Sequence, residues 1–214
     1  LDVRLLDNLI IINGTATFGY GINASCIDSD VGMYVNKNII CGENLWIGIY
    51  GLSNATLFAN SSLVWYEIIG NTVFNATGTG FYFASISLAA FGIHTFVYAR
   101  NNLALNCSTC YGKSSNSADE FTFNDVRYNS ASDESKAHAT NGWRTDATGD
   151  VANLVSSLEV TDLSRDGNLQ QGANSIENGF DVSAYFTVDA LGNSIPLNRY
   201  SCRGAIEYPA RSRR

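Results

Sequence analysis

Charge is what this sequence has least of. Asp, Glu, Lys and Arg make up 15% of its 214 residues, where a globular domain carries about a quarter. The shortfall is lopsided, with nine of these residues in 1–112 and the other twenty-four in 113–214. They sum to −7, with a pI near 4.7. That balance excludes partners that demand a cationic face, so neither nucleic acid nor an anionic membrane surface is expected. The one basic cluster is the end, Arg211-Ser-Arg-Arg214. Chemistry is sparse as well. There is no GxSxG elbow, HExxH pair, P-loop or dinucleotide glycine fingerprint, each of which carries a mechanism in its spacing. The two histidines, His94 and His138, lie in different regions, so a triad is not advertised. The sequence reads as a binding or structural protein, not an enzyme.

What is present is apolar residues and asparagine. A hydrophobic fraction of 45% fits one sizeable core, and a chain of this length commonly forms a single all-β domain. Something other than charge must then hydrate its surface. Asn13, Asn23, Asn54, Asn60, Asn75 and Asn106 each open an Asn-x-Ser/Thr acceptor, and no acceptor follows residue 108. N-linked glycans on this uncharged half supply the missing hydration. The protein is therefore expected to be extracellular or on a cell surface, and glycans are the only cofactor-like groups expected. The first residue is Leu1, and no signal peptide is recognisable, so the sequence reads as a mature chain whose leader has been removed.

The longest stretch without Asp, Glu, Lys or Arg runs from Ile68 to Ala99 and includes FYFASISLAAFGIHTFVYA at 81–99. About 20 apolar residues cross a bilayer. A single span here would place the acceptors Asn75 and Asn106 on opposite sides of the membrane, and Ser85, Ser87, His94 and Thr95 interrupt the run. We read two buried strands instead, Phe81–Leu88 and Ile93–Tyr98, apolar on both faces and central in the core, with no membrane span. His94 then reads as a hydrogen-bonded core residue.

Cys26, Cys41, Cys107, Cys110 and Cys202 are an odd set. In a secreted chain they are expected to pair, leaving one over. Cys26 with Cys41 would link neighbouring strands, and Cys202 would tie the C-terminal segment to Cys107 or Cys110. The Cys107-x-x-Cys110 spacing has no second pair to complete a zinc site, and it follows an acceptor in a polar loop, which is not the setting of a redox motif.

Along the chain, Leu1, Val3 and Leu5 alternate with Asp2 and Arg4, and Leu6 follows. This gives two accounts of residues 1–8: an edge strand of its own domain, or an extended arm that completes a neighbour's sheet. Short strands follow at Thr15–Tyr20, Val31–Val35, Leu45–Tyr50 and Leu63–Ile69, separated by Gly, Asn and Asp turns, at sandwich-like spacing. Glu43 and Glu67 are the only glutamates of the first half, and their spacing does not suggest a glycosidase pair. Strands are also expected at Phe121–Tyr128 and Phe180–Val188, and a short helix at 150–160 capped by Asp150. Long polar loops are expected at 112–120, 129–149 and 162–179. The last offers a partial calcium motif at Asp162, Asp166 and Glu177, but each EF-hand frame fails at a required position, so no metal is expected. The fold expected is all-β: an antiparallel β-sandwich, jelly-roll or immunoglobulin-like. It comprises an N-terminal arm at 1–8, one domain at 9–214, and at most one or two short helices.

The terminal strand, the acceptor-rich β core and the absence of an anchor together resemble donor-strand pilus and surface-fibre subunits. That resemblance implies a homopolymer joined by insertion of the N-terminal strand, with Leu1, Val3, Leu5 and Leu6 as its contacts. Two other readings stand beside it. Arg211-Ser-Arg-Arg214 resembles a furin-type processing site, which would make the chain the receptor-binding subunit of a viral envelope glycoprotein cleaved after Arg214. Alternatively, exposed Trp46, Trp65 or Trp143 could stack on sugars in a secreted carbohydrate-binding domain, although core packing is the expected use of Trp46 and Trp65.

Overall fold

Alternation of apolar and polar residues tells which face of a strand is buried, not which way its neighbour runs. The computed structural model describes residues 1–12, 19–27, 30–42, 44–55, 63–87, 94–115, 120–127, 129–131, 181–195 and 204–205. Its strands form three sheets. Sheet A holds β1 (Asp2–Leu6), β4 (Val31–Asn36), β7 (Leu63–Ile69), β10 (His94–Arg100) and β13 (Glu120–Arg127). Sheet B holds β2 (Leu9–Ile11), β5 (Ile39–Cys41), β8 (Thr72–Phe74), β11 (Leu103–Leu105) and β14 (Ser130–Ala131). Sheet C holds β3 (Gly19–Ile27), β6 (Leu45–Ala55), β9 (Thr79–Ser87) and β12 (Thr109–Ser115).

Every ladder between these strands is parallel. Successive strands in the chain belong to different sheets, so the backbone winds as a β-solenoid that visits A, B and C once per coil. This overturns the antiparallel jelly-roll or immunoglobulin-like sandwich. Strands were expected where β4, β7, β9, β10 and β13 lie, but β5, β8, β11 and β12 were not foreseen; the short connections turn corners instead of reversing, and each strand pairs with its equivalent one coil away. Among the described residues there is no helix, and hence none long and apolar enough to cross a membrane.

The corner from sheet A to sheet B explains why the coils stack. Asp7, Lys37, Gly70 and Asn101 adopt positive φ there, and each is followed by an asparagine: Asn8, Asn38, Asn71 and Asn102. These form one continuous ladder. Asn8 Nδ2 donates to Asn38 Oδ1 (2.8 Å), Asn38 Nδ2 to Asn71 Oδ1 (2.9 Å), Asn71 Nδ2 to Asn102 Oδ1 (3.0 Å) and Asn102 Nδ2 to Asn129 Oδ1 (2.8 Å). Each rung also receives a backbone N–H of the preceding coil, such as Asn71 N to Asn102 Oδ1 at 3.0 Å. Each amide from Asn38 on gives a second N–H bond to a carbonyl of sheet A, as Asn71 Nδ2 does to Val35 O (2.7 Å). Asn38, Asn71, Asn102 and Asn129 are buried, and a buried amide is tolerated only when it is satisfied in this way.

Inside the solenoid, like positions stack on like. Met33, Tyr66 and Val97 share one register of sheet A, and Ile49, Phe81 and Tyr111 share one of sheet C; all six are buried. Sheets B and C meet at a column of glycines, Gly21, Gly48 and Gly80. A Cβ on Gly48 would lie 2.3 Å from Val73 Cγ1 and 2.5 Å from Gly80 O, so only glycine fits beneath the sheet B side chains.

Several expectations change on this frame. Of the two accounts of residues 1–8, edge strand or arm, the pairing is that of the edge strand: Asp2–Leu6 lies in register along its whole length with residues 32–36 of its own chain. Residues 81–99 do contribute two strands, β9 and β10, but these lie in different sheets, and β10 is buried on one face only, with Phe96 and Tyr98 pointing outward. Residues 109–115 are strand, which shortens the loop expected at 112–120. Over its described part, 181–188, the strand expected at Phe180–Val188 is a turn. Tyr185 N and Phe186 N both donate to Val182 O (2.9 and 3.0 Å), followed by a single antiparallel bridge from Val188 to Ser194. The helix expected at 150–160 and the loop at 162–179 lie outside the described residues, as does all of 129–149 beyond Ala131.

Candidate functional site

Successive side chains of a strand point to opposite faces, as the strict alternation of burial along β10 shows, and parallel register lines the outward ones up across coils. On sheet A one outward row reads Asp2, Gly32, Trp65, Phe96 and the next reads Arg4, Tyr34, Glu67, Tyr98. Trp65 is 42% exposed and stacks on Phe96, with ring centroids 6.0 Å apart and planes at 24°. On its other side the register partner is Gly32, which has no side chain. Tyr34 leans across that glycine, its Cε2 3.2 Å from where a Cβ would stand, and Asp2 Oδ1 lies 2.7 Å from the same point. The Arg4 guanidinium sits 5.1 Å over the Tyr34 ring, and Glu67 Oε1 accepts from Asn36 Nδ2 (3.0 Å). The result is a flat platform of rings with carboxylates, a guanidinium and amides around it.

Trp65 was expected in the core. Val64 and Tyr66 take the inward positions instead, and Glu67, two residues on, shares the outward face of Trp65. His94, expected in the core, is half-buried at the start of β10, on the outward side.

Sheet C carries a second aromatic row. Tyr20 meets Trp46 edge-on (5.6 Å) and Tyr50 at a tilt (5.4 Å), while Tyr50 and Tyr82 stack nearly parallel (5.9 Å, 9°). Burial, with lesser contributions from the neighbouring Tyr20 and Tyr82 phenols, pushes the Tyr50 hydroxyl above its ordinary pKa. Tyr20 is 38% exposed here, while Tyr50 and Tyr82 are half-buried. Trp46 is also half-buried and lies against Gly78.

No family model, curated protein or solved structure matches the chain.

The four described acceptor asparagines lie on sheet C and at its corner with sheet B. Asn23 lies exposed on β3 in register with Tyr50, and its Oδ1 accepts from Ser25 Oγ. Asn54 lies half-buried on β6, with its Oδ1 buried and without a hydrogen-bond partner. Asn75 and Asn106 occupy the corner after β8 and β11, both at positive φ, with Asn106 Nδ2 donating to Asn75 Oδ1 (2.8 Å). None of these four is on sheet A. Asn13 and Asn60 lie outside the described residues, as do Cys202, His138, Trp143, Glu43, Asp162, Asp166 and Glu177.

Of the cysteines, Cys26 ends an inward row of sheet C with Ser53 and Ser85, whereas Cys41 ends β5 in sheet B. The thiols of Cys107 and Cys110 donate to Leu105 O and Ala104 O, both at 3.4 Å. Among the described residues no group of three His, Cys, Asp or Glu side chains is arranged to hold a metal ion. Of the expected contact residues, Leu1 is 86% exposed, Val3 and Leu6 are over a third exposed, and Leu5 packs against the core.

Proposed function

We propose that the protein is a secreted, glycosylated β-solenoid that binds carbohydrate on the outer face of sheet A. The observation that carries this is Trp65: an indole held in register by its strand, stacked on Phe96 and still 42% exposed. Aromatic faces carry negative charge density and bind the C–H-lined face of a pyranose, while neighbouring polar groups hydrogen-bond its hydroxyls. Asp2, Arg4 and Glu67 are within the two rows that hold the rings. An exposed row of rings on a sheet face suits an extended chain better than a small molecule, which requires a concave site. The acceptor asparagines add support. Glycans at Asn23, Asn54, Asn75 and Asn106 would coat sheet C and its corner with sheet B, and none of these four stands on sheet A.

The test is retention on insoluble neutral polysaccharides, wild type beside Trp65→Ala. Retention that falls about tenfold in the variant, equivalent to roughly 1.4 kcal/mol, supports the platform. Equal retention of both proteins, or none by either, overturns it.

A second reading, the structural homopolymer, is favoured by the apolar rim of the first coil, where Leu1, Leu9 and Ile27 are 86%, 56% and 56% exposed. Such a rim suits strand addition from another copy. The contact would then be edge to edge, with β1 remaining in its own sheet. Sedimentation that shifts from polymer to monomer in Leu9→Lys supports this reading, and a monomeric wild type removes it.

A further inference from the structure

The face of sheet A is not open on all sides. At the C-terminal ends of its strands it meets the segment Asp181–Ile195, which is tied down by contacts that a surface loop does not need. Val182 and Ile195 are buried against Ile69, with Phe186 packed on them. The ammonium of Lys37, itself buried, lies 4.8 Å from the Phe186 ring, donates to Val188 O (3.0 Å) and pairs with Asp7 Oδ1 (2.7 Å). Beyond it, the buried Asp189 carboxylate accepts from Leu191 N, Asn193 N and Asn193 Nδ2, all at 2.8 Å, and closes the following turn. Among these anchored residues, Tyr185 stays 46% exposed. Its hydroxyl accepts from Arg100 Nη1 (2.9 Å), and its ring lies 5.7 Å from that guanidinium.

Arg100 is the last residue of β10 and faces outward with Phe96 and Tyr98. Phe96 and Arg100 are four positions apart on β10, about 13 Å at ~3.3 Å per residue, the reach of about three linked pyranose rings. The platform thus has a ring pair at one end, Tyr98 between, and Tyr185 standing at the other end on a wall built from a distant part of the chain. Among the described outward side chains of β1, β4, β7 and β10, the charges are Asp2 and Glu67 against Arg4 and Arg100, with each guanidinium lying over a tyrosine ring. That balance, in a protein of net charge −7, does not suit a polyanion.

We propose that the ligand is a neutral pyranose chain lying along β7 and β10, gripped at one end by Trp65 and Phe96 and at the other by Tyr185 on the wall formed by Asp181–Ile195. This rests on the carbohydrate reading above and adds the direction of the chain, its charge class and a second contact. It requires that the benefit of Tyr185 depend on ligand length, because a disaccharide held at Trp65 does not reach the wall.

The test is calorimetric titration of the whole chain with neutral oligosaccharides of two to six units, and with oligogalacturonates of the same lengths, against wild type, Trp65→Ala and Tyr185→Ala. Thermal melts check that each variant is folded, and Tyr82→Ala on sheet C serves as a control. The expected result is that Trp65→Ala weakens every neutral oligomer about tenfold, whereas Tyr185→Ala weakens only those of four units or more, with Tyr82→Ala at wild-type affinity and the uronates binding more weakly throughout. If Trp65→Ala loses affinity while Tyr185→Ala does not at any length, the wall is no part of the site and the platform alone stands. Uronates that bind as well as neutral oligomers overturn the charge class. If no neutral oligomer binds, or if Trp65→Ala binds as wild type does, the platform reading falls, and this inference falls with it.

Discussion

Asn71 has both ends of its side chain committed. Its Oδ1 accepts from Asn38 N and Asn38 Nδ2, and its Nδ2 donates to Asn102 Oδ1 and Val35 O. Asn71→Asp keeps the shape but has no proton for the last two, leaving a buried carboxylate against two carbonyl oxygens. It should cost about 3 kcal/mol or more, read as a fall in the urea midpoint; a loss under about 1 kcal/mol would mean the ladder contributes little. Tyr66 gives a pH signature. Its hydroxyl is buried, donates to Ala24 O (3.0 Å) and lies 3.4 Å from Ser53 Oγ; burial, the largest influence, holds its pKa well above the ordinary 10.0. Above that value the unfolded chain gives up the phenol proton while the folded chain keeps it, so the unfolded state gains and stability falls as pH rises. Below the ordinary value the contribution is complete. Tyr66→Phe should therefore be less stable than wild type near neutrality, by about 1 kcal/mol, and the gap should close above pH 10. Urea titrations at a series of alkaline pH values would reveal it, and a gap of constant size would show that Tyr66 is not the group responsible.

At the scale of the element, the glycine column decides how closely sheets B and C approach. Gly48→Ala drives a methyl group against both Val73 and the Gly80 carbonyl and should cost about 3 kcal/mol. Adding Val73→Ala should restore only part of that loss, because the carbonyl cannot move without shifting its strand. Gly192 has φ +84 and nothing within 4 Å of a Cβ, so Gly192→Ala should cost only the backbone term, about 1 kcal/mol. Thermal melts of the four proteins separate the two causes.

The strands were legible in the sequence where one face is apolar, as at Leu63–Ile69 and 81–99. The partners of those strands were not, because a period of two carries no direction. The outward placement of Trp65 had a signal in Glu67, which shares its parity. The Asn ladder was hidden because its rungs fall 30, 33, 31 and 27 residues apart, with connections of varying length blurring any fixed repeat in an asparagine-rich chain. Tyr185 could not have been found from sequence, since nothing local links it to Arg100, eighty-five residues earlier.

As a whole molecule, the solenoid holds each coil chiefly by its two neighbours, so stability should be divisible into rungs. Removing residues 71–101 joins Gly70, at positive φ, directly to Asn102 and leaves the ladder in step. That deletion should give a shorter, less stable protein that still unfolds cooperatively with parallel-sheet circular dichroism. Removing 71–98 instead, which puts the ladder out of step, should give an unfolded chain. If both deletions behave alike, the ladder does not set the register.

The ladder also has a sense. The amides of Asn8, Asn38, Asn71 and Asn102 each point an N–H toward the next coil, and those of Asn38, Asn71, Asn102 and Asn129 turn their oxygen toward the previous one. The small dipoles therefore add head to tail, as compass needles do in a row, giving the rod an electrical north and south, negative at Asn8 and positive at Asn129. Two such rods would join end to end smoothly when they lie in the same sense, whereas meeting head to head sets like poles together.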